Sequence, residues 1–254
     1  MTPDGRINAP APATRADAEK QLCDYSQRLA DVLGNGLVGV YAHGSFARNC
    51  FCPRFSDLDV IVVLNGPVPD GALSEIQSIQ AKVAFPIDAT GVTQSQLRTD
   101  TVPTPLTFVT KAGTILRLPD GSRDFLLQRQ DVHDVGIVMA GPPLKELFRP
   151  VPWTLLKDCL GFLFPHIVPF FKNPVLMLSR IVFALQHRRL CSKQEAGEWA
   201  AEAFDPRWFP TLKQALQEYA DGTMISAIQT NDIMKFEEYC MEYLQQGLHP
   251  KRLS

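Results

Sequence analysis

The sequence predicts an α+β protein in two parts, a mixed sheet with helices followed by an α-helical bundle. Three observations carry this. β-rich runs at Leu37–Tyr41, Asp57–Leu64 and Phe85–Thr93 alternate with helical patterns in the first half. The chain changes character at Gly141-Pro142-Pro143. Beyond Pro152 the apolar spacing is helical throughout.

In order, residues 1–14, rich in Pro and Ala, are expected to be disordered. Ala18, Leu22, Tyr25, Leu29 and Leu33 then recur at helical spacing, and Gly34-Asn35-Gly36 ends that helix. The first strand leads into a tight turn, His43-Gly44-Ser45. Ala72–Gln80 reads as a helix, and Pro105–Leu118 as one or two further strands. The helices of the second half are expected at Trp153–Phe164, Pro174–His187, Ser192–Phe204, Phe209–Tyr219 and Ile225–Gln246. Ser192 and Glu195 have the spacing of a capping box. The expected division is a disordered segment 1–14, a sheet domain 15–145 and a helical domain 146–254.

Composition narrows the function classes. The 254 residues are 45% apolar and 20% charged, with a formal charge of −2, ordinary for a soluble globular protein. No basic excess points to nucleic acid, and no apolar run is long enough to span a membrane. With no apolar leader either, the sequence reads as a cytoplasmic monomer without membrane or nucleic-acid partners. The six cysteines read as free, mostly structural thiols.

The chemistry concentrates in one segment. Asp57 and Asp59 stand two apart on a predicted strand, so both carboxylates point to one face and Leu58 to the other. Like charges that close repel, and a hard cation such as Mg²⁺ between them removes the conflict. Gly44 and Ser45 follow the preceding strand, where glycine lets backbone N–H groups approach a phosphate and the serine hydroxyl adds a donor. Asp88 lies on the next strand between apolar neighbours that place it on the open face again. It can join Asp57 and Asp59 as a metal ligand and act as the general base toward an attacking hydroxyl. In-line displacement at phosphorus follows, assisted by two metal ions. His43 reads as a local turn residue, His133-Asp134 as a solvated helix end, and His187-Arg188-Arg189 as a surface cluster.

Gly-Ser, then acid-x-acid, then a later acid resembles the nucleotidyltransferase superfamily typified by DNA polymerase β. The second half resembles the helical domain of the streptomycin/spectinomycin adenylyltransferases, through AGPPLKELFRPVP (140–152), NPVLMLSRI (173–181) and SKQEAGEWA (192–200). The likeness spans about residues 20–246. It implies a polymerase-β-like first domain, ATP in the cleft between the two parts, and AMP transferred to a hydroxyl of a small molecule such as an aminoglycoside-type antibiotic. It also implies that Ser45, Ser56, Asp57 and Asp59 meet phosphate and metal, that Asp88 is the base, and that Asp124, Arg180, Lys193 and Tyr219 contact the nucleotide.

Two departures leave the acceptor open. The stretch Val168-Pro169-Phe170-Phe171-Lys172 has no acid where that family binds its cationic drug. Lys111-Ala112-Gly113-Thr114 stands where a tryptophan segment is expected. A metabolite or protein hydroxyl as acceptor, and a non-catalytic nucleotide-binding module, are the alternatives.

Overall fold

The computed structural model describes residues 14–111, 113–170, 173–222, 228 and 230–246. It is α+β, as the sequence predicts. The chain runs α1 (Arg15–Leu33), β1 (Leu37–His43), α2 (Gly44–Ala47), β2 (Leu58–Leu64), α3 (Asp70–Gln80), β3 (Ile87–Thr93), α4 (Gln94–Leu97), β4 (Thr104–Lys111) and β5 (Thr114–Ser122). It continues through α5 (Phe125–Val135), β6 (Ile137–Ala140), α6 (Leu144–Leu147), α7 (Trp153–Leu163) and α8 (Ile167–Phe170). The last helices are α9 (Pro174–His187), α10 (Lys193–Ala203), α11 (Phe209–Asp221) and α12 (Thr230–Gln245).

The strands form one mixed sheet in the order β5-β4-β3-β2-β1-β6. Among the described residues only β2 and β3 are parallel neighbours; β1 pairs antiparallel with both β2 and β6. Alternation along β2 divides two cores. Leu58, Val60, Val62 and Leu64 face α1 and α3, meeting Leu22, Tyr25 and Ile76. Ile61 and Val63 face the other way, toward Phe125, Leu126 and Val132 of α5.

Several expected boundaries move for local reasons. Thr14, expected in the disordered segment, caps α1 in a complete capping box with Asp17; residues 1–13 and 223–227 lie outside the described residues. Of helix α5 only the end at His133-Asp134 was anticipated, and strand β6 not at all. Buried Arg129 and Asp131 break the apolar stripe of α5, so its pattern reads as polar. At α10 only half of the expected capping box forms. The Ser192 hydroxyl accepts from the Glu195 N–H at 3.0 Å, while the Glu195 carboxylate is drawn to Arg189 at 2.5 Å.

Residues Leu147 to Cys159 belong to the core shared with the sheet, and packing switches to the helical core from Leu160 onward. The second part is built around α9, whose Val175–Ser179 and Ile181–Ala184 are all buried. Asn173 caps α9, Pro174 takes its first position, and Arg188 closes it in the left-handed region (φ 54°).

Candidate active site

The site lies at one end of the sheet, where β1 ends and β2 and β3 begin. His43 pairs in register with Asp59, and Asp59 with Asp88. The three residues form one row across three strands. All have the parity of Tyr41, Ile61 and Val92, so they project on the α5 side.

Asp57 is placed differently from the expectation. β2 begins at Leu58, and Asp57 is an exposed residue of the preceding loop. A turn holds the chain out of the sheet until that point. Ser56 N–H donates to Cys52 C=O at 2.9 Å, and Cys52 N–H donates to the Ser56 hydroxyl at 3.0 Å. Pairing with β3 opens with Leu58 N–H on Pro86 C=O at 2.8 Å.

The three acids are not drawn into one metal cage: among the described residues no three His, Cys, Asp or Glu side chains gather closely enough to hold an ion. A magnesium ion does not need three protein carboxylates. It uses one or two, completing its shell with water and substrate phosphates. Asp59 at the strand start and Asp57 at the mouth fit that requirement. Burial pushes the Asp59 carboxyl above the usual range; His43 opposes the rise, Asp57 and Asp131 add to it, and Lys193 opposes it. A cation there would relieve the strain of two neighbouring anions.

Gly44 begins α2 at φ 64°, a conformation that favours glycine. Its N–H does not point at open space. It donates to Asp131 Oδ2 at 2.8 Å. Sequence reasoning missed Asp131, which also accepts from Arg48 Nε at 2.8 Å and lies 3.4 Å from His43 Nδ1. His43 is therefore a buried partner of α5 rather than a simple turn residue. The missed signal was Arg48 four residues beyond Gly44: a guanidinium that close to a tight turn needs an anion.

The helical part brings in the cations. Arg180 on α9 donates through Nε to the Cys191 carbonyl at 2.7 Å, orienting the guanidinium beside the α9–α10 connection. Lys193 is the first residue of α10, and its Nζ lies 5.8 Å from the centre of the Tyr219 ring. Burial pushes the Lys193 ammonium below its ordinary value and Arg180 adds to this, while Asp59 and Asp57 oppose it. The lysine is thus within electrostatic reach of both acids. Tyr219 on α11 stacks edge-on against Phe55 (5.3 Å) and lies close to Cys50. Burial, then Cys50, pushes the Tyr219 hydroxyl up to about 12. Gly222, just beyond α11, packs against Phe55 as well. A cavity of about 720 Å³ opens between the loop Cys50–Phe55 and helices α10 and α11, with Tyr219 in its wall.

Asp124 has partners of its own. It precedes α5, takes a hydrogen bond from the Ser122 hydroxyl, and its charge helps raise the Cys159 thiol on α7.

Comparison with known proteins gives these features a frame. Residues 22–107 match the family profile described as a nucleotidyltransferase domain, and residues 164–242 match the aminoglycoside adenylyltransferase C-terminal domain. The chain thus joins a nucleotidyltransferase domain to an aminoglycoside adenylyltransferase C-terminal domain. Among its relatives is a spectinomycin 9-adenylyltransferase of Campylobacter jejuni, 23% identical over 85% of this chain and 92% of the relative. An aminoglycoside (3'') (9) adenylyltransferase of Klebsiella pneumoniae is 29% identical over 45% of each chain. The crystal structure of a spectinomycin adenyltransferase from Enterococcus faecialis, with ATP and spectinomycin, has the same fold. It superposes with a TM-score of 0.75 at 19% identity, over 89% of this chain and 99% of that one. The enzyme is an adenylyltransferase of the nucleotidyltransferase superfamily. Among the described residues no helix is long and apolar enough to cross a membrane.

Proposed function

We propose that the enzyme transfers AMP from magnesium-bound ATP to a hydroxyl of an aminoglycoside-type acceptor and releases pyrophosphate. The observation that carries this is that Asp59 pairs in register with Asp88 on the neighbouring strand and lies within electrostatic reach of the Lys193 ammonium from the helical part. Carboxylates for a cation and an ammonium for phosphate then face one volume.

Each group has a role there. Asp57 and Asp59 hold the cation. Ser45 and Ser56 meet phosphate oxygens from the two turns that flank the strand ends. Arg180 and Lys193 offset the triphosphate charge, and Tyr219 bounds the same end of the cleft. Asp124 meets the nucleoside from the start of α5. Asp88, beside Asp59, takes the proton from the acceptor hydroxyl. Bound magnesium supplies charge neutralisation on the phosphates during in-line displacement. The relatives named for spectinomycin and aminoglycosides support the acceptor class.

A second reading keeps the transfer and changes the acceptor to a less cationic hydroxyl compound. It is favoured by the absence of any acid in Val168–Lys172, because a polycation needs carboxylates around it. The side chains of 169–172 lie outside the described residues.

Incubation with α-labelled ATP, Mg²⁺, and spectinomycin, streptomycin or other aminoglycosides separates the readings. Label on a drug supports the first. Label only on a neutral metabolite from a lysate supports the second. No transfer to any acceptor, with no calorimetric Mg·ATP binding, would overturn both.

A further inference from the structure

The geometry points to Asp131 as a positioning residue that fixes the phosphate-binding turn from outside it, through Gly44, His43 and Arg48. The inference rests on the reading of this turn as the ATP site.

Asp131 sits on α5, far from the turn in sequence, and is only 4% exposed. One carboxylate reaches both ends of α2. Oδ2 accepts the Gly44 N–H at 2.8 Å and lies 3.4 Å from His43 Nδ1, at the entrance. Oδ1 accepts from Arg48 Nε at 2.8 Å and Nη2 at 2.5 Å, at the exit. Arg48 is also tied by backbone, its N–H donating to Gly44 C=O at 3.0 Å. Ser45 is held between these anchors. Burial alone would raise the Asp131 carboxyl, yet the hydrogen bond from His43 and the charge of Arg48 hold it well below the usual range. It is a fixed anion.

The sign of that charge defines its role. Asp131 adds to the upward push on Asp59, and an anion at this distance repels a triphosphate. Its contribution to ATP binding is therefore geometric rather than electrostatic. Because it consumes the Gly44 N–H, the phosphate contact passes to Ser45. A short turn with a left-handed glycine is intrinsically loose, and a charge-assisted bidentate clamp gives it one shape.

The test uses the full chain and Mg·ATP without acceptor, so that binding is read without turnover. Asp131→Asn should raise the ATP Kd at least tenfold, although it removes a repelling charge. Asp131→Asn combined with Arg48→Met removes the uncompensated buried guanidinium. It should recover most of any lost thermal stability but not the ATP affinity. Arg48→Lys, which keeps the charge and gives up the bidentate fork, should weaken ATP several-fold with little change in melting temperature; it carries the test where Asp131→Asn does not fold. Unchanged or tighter ATP binding by Asp131→Asn would overturn the inference, as would recovery of affinity together with stability in the double variant. A wild-type chain that does not bind Mg·ATP would instead remove the nucleotide-site reading itself.

Discussion

Asp59 occupies the space that any side chain at residue 44 would need. A Cβ on Gly44 would lie 2.1 Å from Asp59 Oδ2 and 2.9 Å from its Cγ. The turn before β2 and the acid on β2 are thus fitted to each other. Gly44→Ala is expected to displace the carboxylate and to strain a backbone at φ 64°. A misplacement of about 1 Å costs transfer rate on the order of 100-fold, and the left-handed alanine costs about 1–2 kcal/mol of stability. Gly66→Ala, with open space and no positive φ, is the control and should change neither. Steady-state rates and thermal melts read both effects.

Asp59→Asn is expected to abolish transfer while leaving the metal-free protein as stable as wild type, or more so. The folded-state pKa of Asp59 is raised, so its charged form opposes folding, and the metal-free protein gains stability as pH falls through that pKa. Melts in EDTA at neutral pH should place the variant at or above wild type. Mg·ATP should then stabilise wild type alone. A clear destabilisation in EDTA would mean that the carboxylate is a structural group.

Asp131 has the opposite sign. Its folded-state pKa is depressed, so its contribution is complete above the ordinary carboxylate value of about 4 and is lost as pH falls below it. Asp131→Asn leaves Arg48 and His43 without their buried anion, a loss of about 3–5 kcal/mol at neutral pH. On acidification from pH 6 to 3 the gap between variant and wild type should hold to about pH 4 and then narrow without closing. Urea unfolding across that range measures it, and a gap independent of pH would argue against the ion pair.

Lys193→Met should leave the fold intact, because its ammonium is already disfavoured by burial and by Arg180. ATP affinity should fall on the order of 10- to 100-fold, as for a lost charge-assisted contact worth about 1.5–3 kcal/mol. Equal ATP affinity in calorimetry would remove Lys193 from the nucleotide site.

Ser192→Ala removes the cap that starts α10 one residue before Lys193. The expected loss is about 1 kcal/mol, a melting shift of roughly 2–4 °C for a chain of this size. ATP affinity should weaken only slightly.

Much of this was legible from residue patterns. The alternation in β2 and β3 separated Leu58 from Asp59 and put Asp59 and Asp88 on one face. The helical period located α9 with both ends right, since proline and asparagine mark its start. Asp57 was misjudged because a strand and its lead-in loop look alike in sequence; the Cys52–Ser56 hydrogen bonds form a turn that ends just before it. Arg48 called for an anion, but the pattern could not name Asp131, because its partners lie 83 and 87 residues away and a buried acid on a helix has no periodic signature. Arg180, Lys193 and Tyr219 came from family resemblance, not from spacing; packing of the helical part against the Cys50–Phe55 loop brings them to the cleft.

The separation between Asp59 and Asp88 is inherited from the ladder joining two parallel strands, so neither flanking loop sets it. Lengthening the chain between Asn49 and Ser56, or before Pro86, would leave the two carboxylates side by side. A slip of β2 by a single residue would instead turn Asp59 toward α1 and deliver Leu58 or Val60 to the reacting centre. The spacing of these two acids is therefore indifferent to the length of those loops and lost on a slip of the ladder itself.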